Sequence, residues 1–176
     1  KKYQIICSYD LTAMFDLIDI PILLKKLRIL GANQLTIDFF LSYLLDRKHM
    51  TRVGNEVSPQ TSSLRGGPQG ASITATLALV MIIDINLFIE DGSLSSYCDD
   101  NTLTSAAGSI VEAIDIAQKE SENIIAFFRL NKLACNIEKS EVIVIRPNRK
   151  TAKQKVTLTI DGVDVTEKET LKIVGL

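Results

Sequence analysis

The stretch SSYCDDNTL, residues 95–103, sets two adjacent aspartates straight after a short strand-like run. Neighbouring like charges repel, and a carboxylate that leaves water costs free energy unless something compensates it. A turn is one explanation, because Asp and Asn favour turns and hydrogen-bond their own backbone. A divalent cation is another, because Mg²⁺ prefers carboxylate oxygen and offsets the repulsion. The dipeptide by itself favours the turn, so the decision rests on what surrounds it.

Upstream, YQIICSYD (residues 3–10) alternates, with Tyr3, Ile5, Cys7 and Tyr9 on one face and Gln4, Ile6, Ser8 and Asp10 on the other. This predicts a strand that delivers Asp10 at its end. Pro21 then opens a helix that Gly31 stops, and Asn33 caps a second helix with Leu35, Phe39 and Tyr43 on a stripe. Residues 50–64 read as a hairpin around Gly54-Asn55. The glycine-rich turn RGGPQG (65–70) leads into an apolar run, residues 71–89, read as a buried helix.

SLSSYC and NTLTSA form the central hairpin, with Asp99 and Asp100 at its tip. Ser109 and Glu112 make a capping box for a long amphipathic helix. LACNI and EVIVI follow as strands, then a hairpin turning at Asp161-Gly162, and TLKIVGL as a last strand. Apart from the insert at residues 48–70, the order is β-α-β-β-α-β. The expected fold class is therefore α+β, a ferredoxin-like antiparallel sheet with helices on one face. In that layout the first strand lies beside the central hairpin, and Asp10, Asp99 and Asp100 meet at one sheet edge. A turn needs no third aspartate opposite it, whereas a two-metal site does.

The bulk properties fit one folded domain. The 176 residues suffice for a single core, and 46% hydrophobic with 23% charged residues describes a globular chain rather than a disordered one. A net charge of −1 is less basic than a protein that grips nucleic acid alone, so with such a partner the chain is one part of the grip. Cys7, Cys98 and Cys135 lie far apart without a CxxC pair, which points to a reduced intracellular setting, nuclear or cytoplasmic. The apolar run is interrupted by Asp84 and Asn86, which argues against a membrane span. His49 is the only histidine, which excludes a histidine-based metal site or triad.

Five segments in this order resemble the palm of a reverse transcriptase of the non-long-terminal-repeat (LINE-type) retrotransposon family. They are YDLTAMFDLID, GGPQGASITATLALVMIIDI, YCDDNTL, RLNKLACNIEKSEVIVI and LKIVGL, spanning residues 8–176. Each is weak alone, and the order and spacing make them specific. The chain departs from the family at Gly67, where a small aliphatic residue is usual, at Ala75, Thr76 and Ala78, and at Cys98. The resemblance implies a single palm domain over residues 1–176, with the family's fingers motifs expected upstream and its thumb downstream.

It also implies an RNA-directed DNA polymerase, a nucleotidyltransferase that adds deoxynucleotides to a primer 3′ end by two-metal phosphoryl transfer. Asp10, Asp99 and Asp100, with the Leu11 carbonyl, are the implied ligands of Mg²⁺, or of Mn²⁺ as a substitute. Asp10, Asp99, Asp100 and Lys139 form the implied catalytic set, with Lys139 beside the leaving pyrophosphate. Phe15 is expected beneath the incoming sugar, excluding a 2′-hydroxyl, and Gln69 and Gly70 contact the nucleotide. Leu11 completes that nucleotide site. Asp16 and Asp19 are read as favourable charges near the positive end of the helix that follows.

Arg146, Arg149, Lys150, Lys153 and Lys155 form a basic segment expected to contact nucleic-acid phosphates. The implied partners are an RNA template, a DNA primer, a deoxynucleoside triphosphate, and the fingers and thumb segments. The isolated chain is expected to be inactive. The alternative is a domesticated reverse-transcriptase-like module with a structural or interaction role.

Overall fold

The computed structural model describes residues 2–147 and 155–171. In chain order the first elements are β1 (Tyr3–Thr12), α1 (Ile20–Ile29), α2 (Gln34–Leu44), and the short strands β2 (Arg47–His49), β3 (Arg52–Val53), β4 (Glu56–Val57) and β5 (Thr61–Ser63). Then come α3 (Ser72–Ile82), β6 (Ser93–Tyr97), β7 (Asp100–Ala107), α4 (Ile110–Leu130), β8 (Ala134–Cys135), β9 (Glu141–Ile145), β10 (Thr157–Ile160) and β11 (Val163–Thr166). The chain forms two compact units, one of Lys1–Thr12 with Asp84–Leu176 and one of Ala13–Ile83. The fold class is α+β, as expected.

The first unit is built around β1. It pairs antiparallel with β7 on one side and with β9 on the other, and β6 adds to β7. β8 extends the same edge at the end of β1, where Leu11 is opposite Cys135. The alternation in the sequence decides which way the sheet faces. Ile5, Cys7, Tyr9 and Leu11 are buried, as are Asn101, Leu103, Ser105 and Ala107 of β7, while the residues between them stay half-exposed. This is the one-sided pattern of an antiparallel sheet with a single covered face.

Helix α4 packs on β7 and β1 and also on β10. Its buried residues include Ala113, Ala117, Ile124, Phe127 and Phe128. The Ser109 hydroxyl accepts the Glu112 N–H, so the predicted N-cap forms. The Tyr9 phenol meets the Ser121 hydroxyl at 2.6 Å, and Ser121 donates onward to the Ala117 carbonyl. Those bonds satisfy a phenol that is otherwise enclosed by apolar groups. Burial also pushes the Cys7 thiol up to about 12, so it stays neutral and behaves as core.

In the second unit α1 packs on both α2 and α3, with Leu23, Leu24, Ile37, Leu44, Leu77 and Met81 buried. Asp19 caps α1 by accepting the Ile22 N–H, and Asn33 caps α2 by accepting the Thr36 N–H. The Asn33 cap follows from the sequence, whereas Asp19, read there only as a favourable charge near the helix end, is the cap of α1. The Gly54-Asn55 hairpin also forms, as β3 and β4, and it continues outward as β2 and β5.

Two readings are corrected. Leu35 and Phe39 do not face the core: both are exposed, and Phe39 stacks on Tyr43 with ring centroids 5.9 Å apart. α2 carries apolar residues around most of its circumference, so periodicity alone does not select the face that buries Ile37 and Leu44. The apolar run 71–89 is also not one buried helix. α3 ends at Ile82, Ile85–Phe88 form a separate 3-10 turn, and Ile73, Leu79 and Ile83 are exposed. Among the described residues no helix is long and apolar enough to cross a membrane.

Candidate active site

Strand register creates the candidate site of the first unit. Asp10, near the end of β1, lies directly opposite Asp100, the first residue of β7. Residues directly opposite in an antiparallel pair project to the same side, so both carboxylates lie on the half-exposed face. The hairpin loop is Cys98-Asp99 alone, since Tyr97 already pairs with Asp100. Cys98 takes a φ of 54°, which suits the tight two-residue turns whose twist matches the flanking strands. The opening pair of aspartates is thus split: Asp99 is in the turn and Asp100 is on the strand.

A buried asparagine anchors that turn. The Asp99 carbonyl accepts the Leu11 N–H at 3.1 Å and the Asn101 side-chain amide at 3.2 Å. Asn101 is fully buried, and its carbonyl oxygen accepts from the Ser96 hydroxyl at 2.7 Å. The sequence reading missed this residue. The available signal was a polar side chain at a position where the strand alternation calls for core.

Burial raises the Asp100 carboxyl above its ordinary range, and the charges of Asp99 and Asp10 raise it further. The three acids therefore share one electrostatic environment. Lys139 joins them from a 3-10 turn, Ile137–Lys139, that is tied to β1 by the Asn136 N–H donating to the Asp10 carbonyl. Its Nζ lies 3.4 Å from Asp10 Oδ2. Both side chains keep solvent contact, so the pair contributes little to stability. Cys135 is pushed up to about 11, mainly by burial, so no thiolate competes for a cation.

Among the described residues, no group of three or more His, Cys, Asp or Glu side chains is placed to hold a metal ion, so Asp10, Asp99 and Asp100 do not form a three-carboxylate set. The donors that are gathered here are hard carboxylate oxygens crowded by like charge. That chemistry fits Mg²⁺, which is usually held by one or two carboxylates together with substrate phosphates.

The second unit, Ala13–Ile83, carries a candidate site of its own. A cavity of about 510 Å³ is lined by Phe15, Gln69, Gly70, Ala71, Ser72, Thr74 and Ala75. Two glycines bring its walls together. The Gly67 N–H donates to the Phe15 carbonyl and the Gly66 N–H to the Ile18 carbonyl, each at 2.9 Å. Gly66 has a φ of 75°, and a Cβ there would lie 2.8 Å from Asp16 Cα. A Cβ on Gly67 would lie 2.4 Å from Thr74 Cγ2. Arg47 supports the loop from outside by donating to the carbonyls of Arg65 and Gly66.

Asp16 and Asp19 part company here. Asp19 serves the helix as its cap, whereas Asp16 accepts a hydrogen bond from Gln69 Nε2 at 2.8 Å. Of the basic segment, Arg146 is held by Glu167 in a two-pronged ion pair that leaves both side chains 13% exposed. Lys155 is exposed. Arg149, Lys150 and Lys153 lie outside the described residues, as do residues 172–176 of the last predicted strand.

Comparison with known proteins bears on the fold. Three telomerase structures resemble the chain in fold. The complex from Candida albicans with a TWJ fragment of telomeric RNA matches with a TM-score of 0.61 at 17% identity, over 93% of this chain and 30% of that one. The corresponding Candida tropicalis complex gives 0.61 at 12% identity, over 93% and 28%. The apo Candida tropicalis enzyme truncated from its C-terminal domain gives 0.57 at 14% identity, over 93% and 34%. The chain thus spans about a third of those telomerase chains. Among curated proteins none matches. The family model for reverse transcriptase (RNA-dependent DNA polymerase) matches residues 1–176, its full length, and the chain belongs to that family.

Proposed function

We propose that residues 1–176 are the palm of an RNA-directed DNA polymerase that extends a primer 3′ end by phosphoryl transfer. The observation that carries this reading is the pairing of Asp10 opposite Asp100, with Asp99 and Lys139 in the same electrostatic neighbourhood. Asp10, Asp99 and Asp100 would hold Mg²⁺, or Mn²⁺ in its place, with the Leu11 carbonyl as a further donor. When bound, the ions stabilise the attacking and leaving oxygens of the displacement. The sheet order β6-β7-β1-β9, with helices between β1 and β6 and α4 between β7 and β9 in the chain, supports reading the whole chain as a split β-α-β-β-α-β arrangement.

The protein's own groups have separable tasks. The backbone of β1 and β7 fixes the acids in advance, so no reorganisation is needed as charge develops. Lys139 supplies a proton donor and positive charge for the departing pyrophosphate. Phe15 occludes the space a 2′-hydroxyl would occupy, and Gln69 and Gly70 contact the nucleotide. Lys155, with Arg149, Lys150 and Lys153, adds phosphate contacts to template and primer. Arg146 contributes by holding that segment through Glu167. The five motifs favour an origin in a non-long-terminal-repeat retrotransposon, with fingers and thumb segments completing the enzyme.

Primer extension on an RNA template tests this. The full-length protein is expected to add deoxynucleotides with Mg²⁺, and Asp10→Asn to lower the rate on the order of a thousandfold without unfolding the chain. The 176-residue chain alone is expected not to extend primers, because in this reading positioning by fingers and thumb segments supplies much of the rate. Extension that survives Asp10→Asn refutes the catalytic role. A folded, full-length protein without activity supports the domesticated module instead.

A further inference from the structure

The geometry points to Asp16 as a positioning residue that sets the orientation of the Gln69 carboxamide in the cleft. Asp16 and Gln69 are 53 positions apart, yet Gln69 Nε2 donates to Asp16 Oδ1 at 2.8 Å. An ionised carboxylate can only accept hydrogen bonds. It therefore dictates which end of the amide it receives: the NH₂ group faces Asp16, and the Gln69 carbonyl oxygen is left as an acceptor. A glutamine without such a partner has three rotatable bonds and presents either end.

The surrounding backbone makes this pairing a fixed feature. The loop holding Asp16 is closed by its own N–H donating to the Ala13 carbonyl, with Ala13 at a φ of 48°. The loop holding Gln69 is tied to it through the Gly67–Phe15 and Gly66–Ile18 backbone bonds. The missing Cβ of Gly66 is what permits the approach to Asp16 Cα. Asp16 is also spared from capping α1, because Asp19 does that. Since Asp16 adjoins Phe15 in sequence and holds Gln69, one joint sets two of the residues that line the 510 Å³ cavity. What the oriented carbonyl recognises, a donor group on the incoming nucleotide, rests on the polymerase reading above.

The test separates the two. In the full chain, the Gln69 side-chain amide protons are followed by NMR in the unsubstituted protein, Asp16→Asn and Asp16→Ala. The expected result is a dispersed, exchange-protected pair of signals that persists in Asp16→Asn, whose carbonyl still accepts, and collapses towards free-glutamine positions in Asp16→Ala. Gln69 signals unchanged in a folded Asp16→Ala overturn the inference. Should Asp16→Ala fail to fold, Asp16→Ser, which also lacks the carboxylate, serves instead, and Gln69 signals unchanged in it overturn the inference.

In the full-length enzyme, Asp16→Ala is expected to raise the KM for the nucleotide about threefold to tenfold with kcat little changed, and Asp16→Asn to restore it. A collapsed Gln69 signal with an unmoved KM leaves the joint intact and removes Gln69 from nucleotide recognition.

Discussion

Asp10 and Asp100 face each other because strand register places them there, whereas Phe15 and Gln69 line one cavity because two glycines let two loops touch. The acidic pair sits at the end of eight consecutive paired positions between β1 and β7. Slipping that register by one residue would turn every buried side chain to the other face, so the whole core resists it. The cleft has no such redundancy. It depends on two backbone hydrogen bonds and on atoms that glycine does not have. In the function proposed above this division is useful, since metal ligands must be rigid while a nucleotide cleft admits variation in its loops.

The contrast is broken most directly at Gly66. Gly66→Ala forces a side chain into a φ of 75° and against the Asp16 backbone, neither of which yields cheaply. The expected cost is about 2–4 kcal/mol, summed from left-handed strain and overpacking. Chemical denaturation reads it, and the β1–β7 amide signals should stay in place. Loss of those signals together with the cleft would show that the two regions are not independently built.

Phe15→Val comes next. Phe15 is 40% exposed and lies on the cavity wall, so its loss removes a surface rather than a core contact. The preference of the full-length enzyme for deoxy- over ribonucleotides should fall about tenfold to a hundredfold, with deoxynucleotide incorporation largely kept. An unchanged ratio of efficiencies would make Phe15 structural.

Asp100→Asn gives the smallest effect. Burial first, then Asp99 and Asp10, raise the Asp100 carboxyl in the fold. A raised acid binds its proton more tightly folded than unfolded. This group therefore weakens stability as pH climbs through its folded value, and the weakening is absent below its ordinary unfolded value near 4. Asp100→Asn should raise the melting temperature slightly at pH 7 and leave it unchanged at pH 3.5. A lower melting temperature at pH 7 would mean that the carboxylate is compensated in the folded chain.

What the sequence revealed follows the same division. The alternation around Tyr9 and Asp10, the cap at Asn33 and the tight turn at Gly54-Asn55 are local signals, and each appears where the local rule puts it. Partnerships across long separations had no such signal. Asp16 looked like a helix-end charge, and only the fold brings Gln69 to it. Asn101 looked only like the start of a strand, although its amide ties Ser96 to the Asp99 carbonyl from the core side. The face of α2 was hidden for a different reason, because apolar residues surround that helix and several faces satisfy the same period. Register makes a site readable, and a loop contact does not.

The proposal that the acids of β1 and β7 are metal ligands is best tested by adding Mn²⁺ to the folded chain and following the carboxyl and neighbouring amide NMR signals. Paramagnetic broadening should appear first and saturably at Asp10, Asp99 and Asp100, be displaced by excess Mg²⁺, and vanish in Asp10→Asn. Broadening that is weakest there, or equal at exposed acids such as Glu90 and Asp91, would contradict it.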